Sequence, residues 1–159
     1  MMPDFRLCRL LGLLGALWLA GCAGPAVEQQ AEEPETNPAL AAEYARRAMS
    51  AWEQGDRGAA VEAWRQAVAL NPEDPVAVNN LALALKEQNR FAEAADLLEQ
   101  GVTRSPRVAE LHYNLAVISE LYLLELDKAL THYRVYQDLA GEENAEVDGW
   151  IADLERRLQ

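Results

Sequence analysis

A chain of 159 residues carrying a formal charge of −12, half of it hydrophobic but only 7% aromatic, has the size and composition of a single helical domain. Phosphate recognition needs a basic stripe; here 14 basic side chains face 26 acidic ones and no such stripe exists, so nucleic acid is a poor partner. The acidic surface favours solubility and, secondarily, basic partners.

Residues 1–21 do not belong to the fold. Arg6 and Arg9 precede an apolar run over residues 10–20, shorter than the roughly 20 residues that cross a bilayer, which is the pattern of a secretory signal peptide. The run ends in Leu19-Ala20-Gly21-Cys22, a tetrapeptide that resembles the lipobox of bacterial lipoproteins. That resemblance implies cleavage before Cys22 and acylation of its sulfur. Ala23, standing where an aspartate would signal retention, implies sorting to the outer membrane with the domain facing the periplasm. Cys8 would leave with the signal and Cys22 would carry lipid, so the expected mature chain has no thiol and no disulfide despite export. Several acyl chains hold where one is marginal, each buried methylene contributing about 0.8 kcal/mol.

Residues 22–38 read as the lipidated cysteine and a tether. Pro25, Pro34 and Pro38 alternate with Glu28, Glu32, Glu33 and Glu35, and aromatics are absent, leaving too little apolar surface to offset the entropy of ordering. Fully extended, such a segment reaches about 50 Å; as a flexible chain it spans nearer 20 Å, lengthened by like-charge repulsion.

Helices follow in pairs. The patterns predict helices over 38–54 and 58–70, parted at Gly55-Asp56 and ended by Asn71-Pro72, then 75–87 and 91–103, then 108–123 and 127–140, with Gly141 as a C-cap. Asn144 reads as the N-cap of a seventh helix, with Glu146 and Asp148 in its first turn and Arg156 and Arg157 at its end. Val147, Trp150, Ile151, Leu154 and Leu158 give that helix one apolar face, the signature of a cap over the last pair.

The pairs are copies. A shift of 34 residues places Gln54 on Gln88, Ala60 on Ala94, Pro72 on Pro106 and Asn80-Leu81-Ala82 on Asn114-Leu115-Ala116. The period, and the order of residues inside it, resemble the tetratricopeptide repeat, W-x2-L-G-x2-Y, then A-x3-F, then P. The middle copy fills those slots with Val78, Leu81, Ala82, Leu85, Ala94, Leu98 and Pro106. The first fills them with Tyr44, Arg47, Ala48, Ala51, Ala60, Trp64 and Pro72. The third has His112, Leu115, Ala116 and Ser119, then, one residue late, Ala129, Tyr133 and Gly141. Arg47 in a leucine slot implies a solvated outer helix, and the extra residue near Tyr122 implies a longer or distorted turn. The resemblance implies an all-α, right-handed superhelical solenoid over residues 39–159, with repeats at about 41–74, 75–108 and 109–143 and a capping helix at about 145–158.

Catalysis needs convergent groups, and the sequence offers none: no nucleophile elbow, phosphate loop or zincin motif. His112 and His132 fit no zinc spacing and read as packed or surface histidines; Asp56 and Asp74 lack the partners of a calcium loop. No catalytic, cofactor or metal site is therefore expected, and no enzyme.

The tetratricopeptide resemblance implies instead a concave groove lined by the first helix of each pair. Its positions here are Ala42, Ala45, Arg46, Met49 and Trp52; Val76, Asn79, Asn80, Leu83 and Lys86; and Glu110, Tyr113, Asn114, Val117 and Glu120. Asn80 and Asn114 offer amides suited to a peptide backbone, while Met49, Trp52, Leu83, Tyr113 and Val117 offer apolar contact. Alternatively the amides bond only within the solenoid and the apolar groups pack between helices. Chaperone-binding members of the family clamp a C-terminal carboxylate with cations. Asn80 matches one clamp position, but Ala45, Met49, Glu110 and Asn114 hold the others, so carboxylate capture is not expected. The expected function is a membrane-anchored periplasmic adaptor for protein or peptide partners of the cell envelope, in pilus, secretion or polysaccharide machinery. Two readings compete with it: an accessory envelope enzyme, and a lipoprotein that self-assembles into a homo-oligomer.

Overall fold

Four of the seven described α-helices start at a side-chain cap. The computed structural model describes residues 36–141 and 144–159; the signal, Cys22 and nearly all of the tether lie outside those residues. Asn37 accepts a hydrogen bond from the Leu40 amide at 3.0 Å ahead of α1 (Pro38–Glu53), and Asp56 accepts from Ala59 at 2.9 Å ahead of α2 (Arg57–Leu70). Asp74 accepts from Val76 at 2.9 Å ahead of α3 (Pro75–Glu87). Each side chain satisfies an amide that the helix itself leaves orphaned, and Pro38 and Pro75 open their helices without adding another. Then come α4 (Phe91–Arg104), α5 (Ala109–Ile118) and α6 (Leu126–Ala140). Asn144, as its sequence predicts, caps α7 (Ala145–Arg157) by accepting from the amides of Glu146 and Val147.

The chain is all-α over the described residues and forms a solenoid: each helix packs on the next, and α3 also lies against α5. Small residues make the crossings close. Ala48, Ala60, Ala82 and Ala94 are fully buried in a first core with Trp64, Leu81, Leu85 and Leu98, which Leu111, Leu115 and Ile118 extend into α5. The slots of the middle copy from Val78 to Leu98 are all in this core. A second core begins with Ala116 on α5, continues through Ala129 and Tyr133 on α6, and closes on Val147, Ile151 and Leu154 of α7. Neither helix of a pair could bury such a face alone, and the two clusters both draw on α5.

Where the sequence departs from its period, the structure departs with it. Arg47 is exposed and pairs with Glu43 one turn back, its guanidinium 5.3 Å from the Tyr44 ring. The extra residue of the third copy is taken up in a π-helical turn, Ser119–Leu123, whose wider i to i+5 winding absorbs one residue and returns Ala129 and Tyr133 to buried positions. One expectation differs. Leu158 belongs to the predicted apolar face of the cap, but α7 ends at Arg157, so Leu158 falls beyond the last turn and is exposed.

Candidate partner-binding groove

Exposure along α3 and α5 follows a single stripe. On α3, Ala77, Val78, Leu81, Ala82, Ala84 and Leu85 are buried, while Val76, Asn79, Asn80, Leu83 and Lys86 are exposed or half-buried, recurring every three or four residues. On α5 the same spacing leaves Glu110, Tyr113, Asn114 and Val117 partly open. The two stripes are joined where Asn114 Nδ2 donates to Asn79 Oδ1 at 2.7 Å. Beside this bond, Pro75, Val76, Asn79, Val108 and Glu110 line a hollow of about 270 Å³. A carboxylate entering here would meet the exposed Glu110 and no cation.

The anticipated contact residues divide into open and committed ones. Met49 is exposed on α1. Asn80 and Leu83 are half-buried, and the Asn80 amide has no hydrogen-bond partner among the described residues. Lys86 stands in the last turn of α3, where the helix dipole favours a cation, and takes part in no ion pair among the described residues. Trp52, by contrast, packs at 5.6 Å on Trp64, with the Arg57 guanidinium 3.7 Å over its ring. Tyr113 lies among Tyr136 (5.1 Å), Trp150 (6.2 Å) and Tyr133 (6.4 Å), and burial, with the Glu146 carboxylate nearby, raises its hydroxyl pKa. Val117 packs against the second core. Asn79, not Asn80, holds Asn114.

Sequence reasoning missed a contact between the two histidines, 20 positions apart and with no shared motif. His112 and His132 place their Nδ1 atoms 2.9 Å apart, and the ring centroids, at 5.1 Å, put the two nitrogens nearly on the line between them. That is the geometry of a hydrogen bond; ligands on one metal would converge at an angle. The Pro106 carbonyl, 3.1 Å from His112 Nε2, can only accept, so His112 is protonated there and His132 Nδ1 donates to His112 Nδ1. Burial, then the neighbouring His112 and Lys128, lower the His132 pKa against the opposing pull of Glu99. The unfolded chain therefore takes up more protons as pH falls below about 6.5. The melting temperature is expected to be level above that pH and to fall below it; His132→Gln, measured over the same range, should flatten this part of the profile.

A stack of helix pairs with cores shared between neighbours, a closing helix and an open stripe on the first helices defines a helical-repeat solenoid. Residues 45–107 and 79–144 each match the tetratricopeptide repeat family profile, the two starts lying one 34-residue period apart, and the chain belongs to the tetratricopeptide repeat family. Its fold is similar to that of the first TPR of Spaghetti (RPAP3) bound to HSP90 peptide SRMEEVD, with a TM-score of 0.69 and 18% identity, covering 78% of this chain and 97% of that one. It is also similar to the Sgt2 TPR domain from Aspergillus fumigatus, at TM-score 0.65 and 15% identity over 78% and 82% of the two chains. A third similar fold is the Yersinia enterocolitica type III secretion chaperone SycD in complex with a peptide of the translocator YopD, at TM-score 0.66 and 13% identity over 74% and 94%. At these identities the likeness is one of fold. In sequence, 51 residues are 37% identical to the Drosophila melanogaster protein O-mannosyl-transferase Tmtc2, a stretch amounting to 32% of this chain but 5% of that protein's length.

Proposed function

We propose that the chain is a lipid-anchored adaptor of the bacterial outer membrane, held through Cys22 with its solenoid in the periplasm, which binds extended or helical segments of envelope proteins along the α3–α5 stripe. The observation that carries the binding role is the pairing of Asn114 with Asn79 beside the unbonded amide of Asn80. One amide pair fixes the two helices, leaving Asn80 to meet a backbone N–H or C=O, with Met49 and Leu83 for apolar contact and Lys86 at the end of the stripe. Similar folds in complex with an HSP90 peptide and with a YopD peptide support a peptide-sized occupant. Glu110, set where a carboxylate clamp would need a cation, directs the reading away from C-terminal carboxylates. The leader and the lipobox-like tetrapeptide ending in Cys22 support the location.

The test is a photoreactive residue replacing Lys86 in the full chain expressed in its native cell, crosslinked and read by mass spectrometry. A single dominant envelope protein supports the adaptor; crosslinks solely to copies of the chain reject it in favour of self-assembly. Against the captured partner, Asn80→Ala is expected to leave the melting temperature unchanged and to weaken binding about fivefold, the loss of roughly one hydrogen bond, by titration calorimetry. Undiminished affinity would remove Asn80 from the contact.

A further inference from the structure

The turn that ends α5 differs from its two counterparts. Gly55, Asn89 and Leu124 close the first helix of the three pairs, and all three adopt the left-handed conformation, with φ of 82°, 60° and 58°. Glycine has no Cβ to clash there and asparagine tolerates the region, whereas a leucine is strained. Packing does not account for the leucine: its side chain is 73% exposed, and Leu121, on the preceding π turn, is 61% exposed. Strain retained without a packing reward marks a site with another use, and π turns recur at such sites. Leu124 and Leu158 wall an open hollow of about 440 Å³, completed by Glu125, Leu126, Asp127 and Lys128. Its charge is net negative, with Lys128 the one cation on its wall. The Lys128 amine is held by Glu99 at 2.5 Å and Glu125 at 2.6 Å, and Asp127 enters no ion pair among the described residues.

The geometry points to a second docking surface at this turn, which receives a cationic amphipathic segment of a partner protein: an apolar side chain seats against Leu124 and Leu158 while a neighbouring lysine or arginine meets Asp127. Charge selects this occupant. A second copy brings its own −12, and an anionic lipid surface brings the same sign, so both are repelled by the acids that attract a cation. The surface shares no residue with the Asn79–Asn114 stripe.

The probe is a fluorescent amphipathic helix of leucine and lysine, titrated into the full chain by anisotropy beside a leucine–glutamate helix of equal length. The leucine–lysine helix should bind saturably and the leucine–glutamate helix should not. Leu124→Gly, which relieves the backbone strain while removing the knob, should raise the melting temperature and weaken binding at least about tenfold, the scale of an interface anchor. Asp127→Lys should weaken it comparably, and Asn80→Ala should leave it unchanged. Equal binding of both helices, full affinity in Leu124→Gly, or a lower melting temperature in that variant overturns the proposal. A concentration-dependent dimer abolished by Leu124→Gly would assign the turn to a second copy. Sedimentation with phosphatidylglycerol vesicles, abolished by the same change, would assign it to lipid. Either result rejects a cationic protein segment, and neither bears on the α3–α5 stripe.

Discussion

Leucine in place of Gly101 should lower the melting temperature by roughly 10 °C or more. Gly101 is buried in α4, and a Cβ at this position would lie 2.8 Å from Val78 Cγ1 on α3 and 3.3 Å from Leu111 Cδ1 on α5. One methyl already forces a shift, and a leucine side chain drives α4 away from both neighbours. Overpacking a tight core commonly costs about 1–3 kcal/mol and more where backbone must move. A domain of this size has only about 5–15 kcal/mol in total. Gly101→Ala sets the scale from below, because alanine regains about 1 kcal/mol of helix propensity against the same contact. Thermal unfolding followed by circular dichroism reads both variants. A leucine variant melting with the parent would mean that α3, α4 and α5 do not meet as closely as described.

Tyr133→Ala should cost about 3–5 kcal/mol, by analogy with other buried aromatic truncations. The ring is 1% exposed and touches Trp150 at 5.4 Å across the α6–α7 contact. Its hydroxyl donates to Glu120 Oε2 at 3.1 Å, while Arg157 at the end of α7 reaches Glu120 Oε1 at 3.2 Å. Burial, and then the Glu120 carboxylate, raise the phenol pKa, so it remains a donor throughout the physiological range. Truncation removes the ring that α7 rests on and one of the two donors to Glu120. Urea unfolding read by tryptophan emission gives the energy, and limited proteolysis within α7 should appear before global unfolding. Tyr133→Phe, which keeps the ring, should lose about 1–3 kcal/mol, the cost of an unsatisfied partly buried acceptor. Equal losses in the two variants would place the effect in the hydrogen bond and not in the packing.

Much of this architecture is legible in the residues themselves. Asn144 announces its helix, the 34-residue shift aligns alanines that prove buried, and the late Ala129 and Tyr133 betray a distorted turn, which the structure forms as a π turn. The groove is less legible, for a physical reason. Periodicity says which face of a helix a residue occupies but not whether the neighbouring helix covers that face. Trp52 and Tyr113 satisfy the spacing of open positions, yet Trp64 packs against one and the α6–α7 aromatics against the other. Asn80 and Asn114 are equivalent by sequence, yet Asn114 bonds Asn79, one position ahead of its repeat equivalent. The His112–His132 bond and the cost of Gly101→Leu depend on contacts between different helices, which no one-dimensional pattern records.

The consecutive packing of the helices also bears on how the domain comes together. Its apolar contacts mostly join segments that are neighbours along the chain, so little loop entropy separates one step from the next, a topology associated with rapid folding. Helix α1 can bury its face on α2 before α3 exists, and growth can proceed as a zipper in which each new helix finds its template already set. The closing step belongs to α7. Until Val147, Ile151 and Leu154 arrive, Tyr133 and Ala129 lack their cover, and the interval before closure is when the growing stack is most open to misassociation with another unfinished chain.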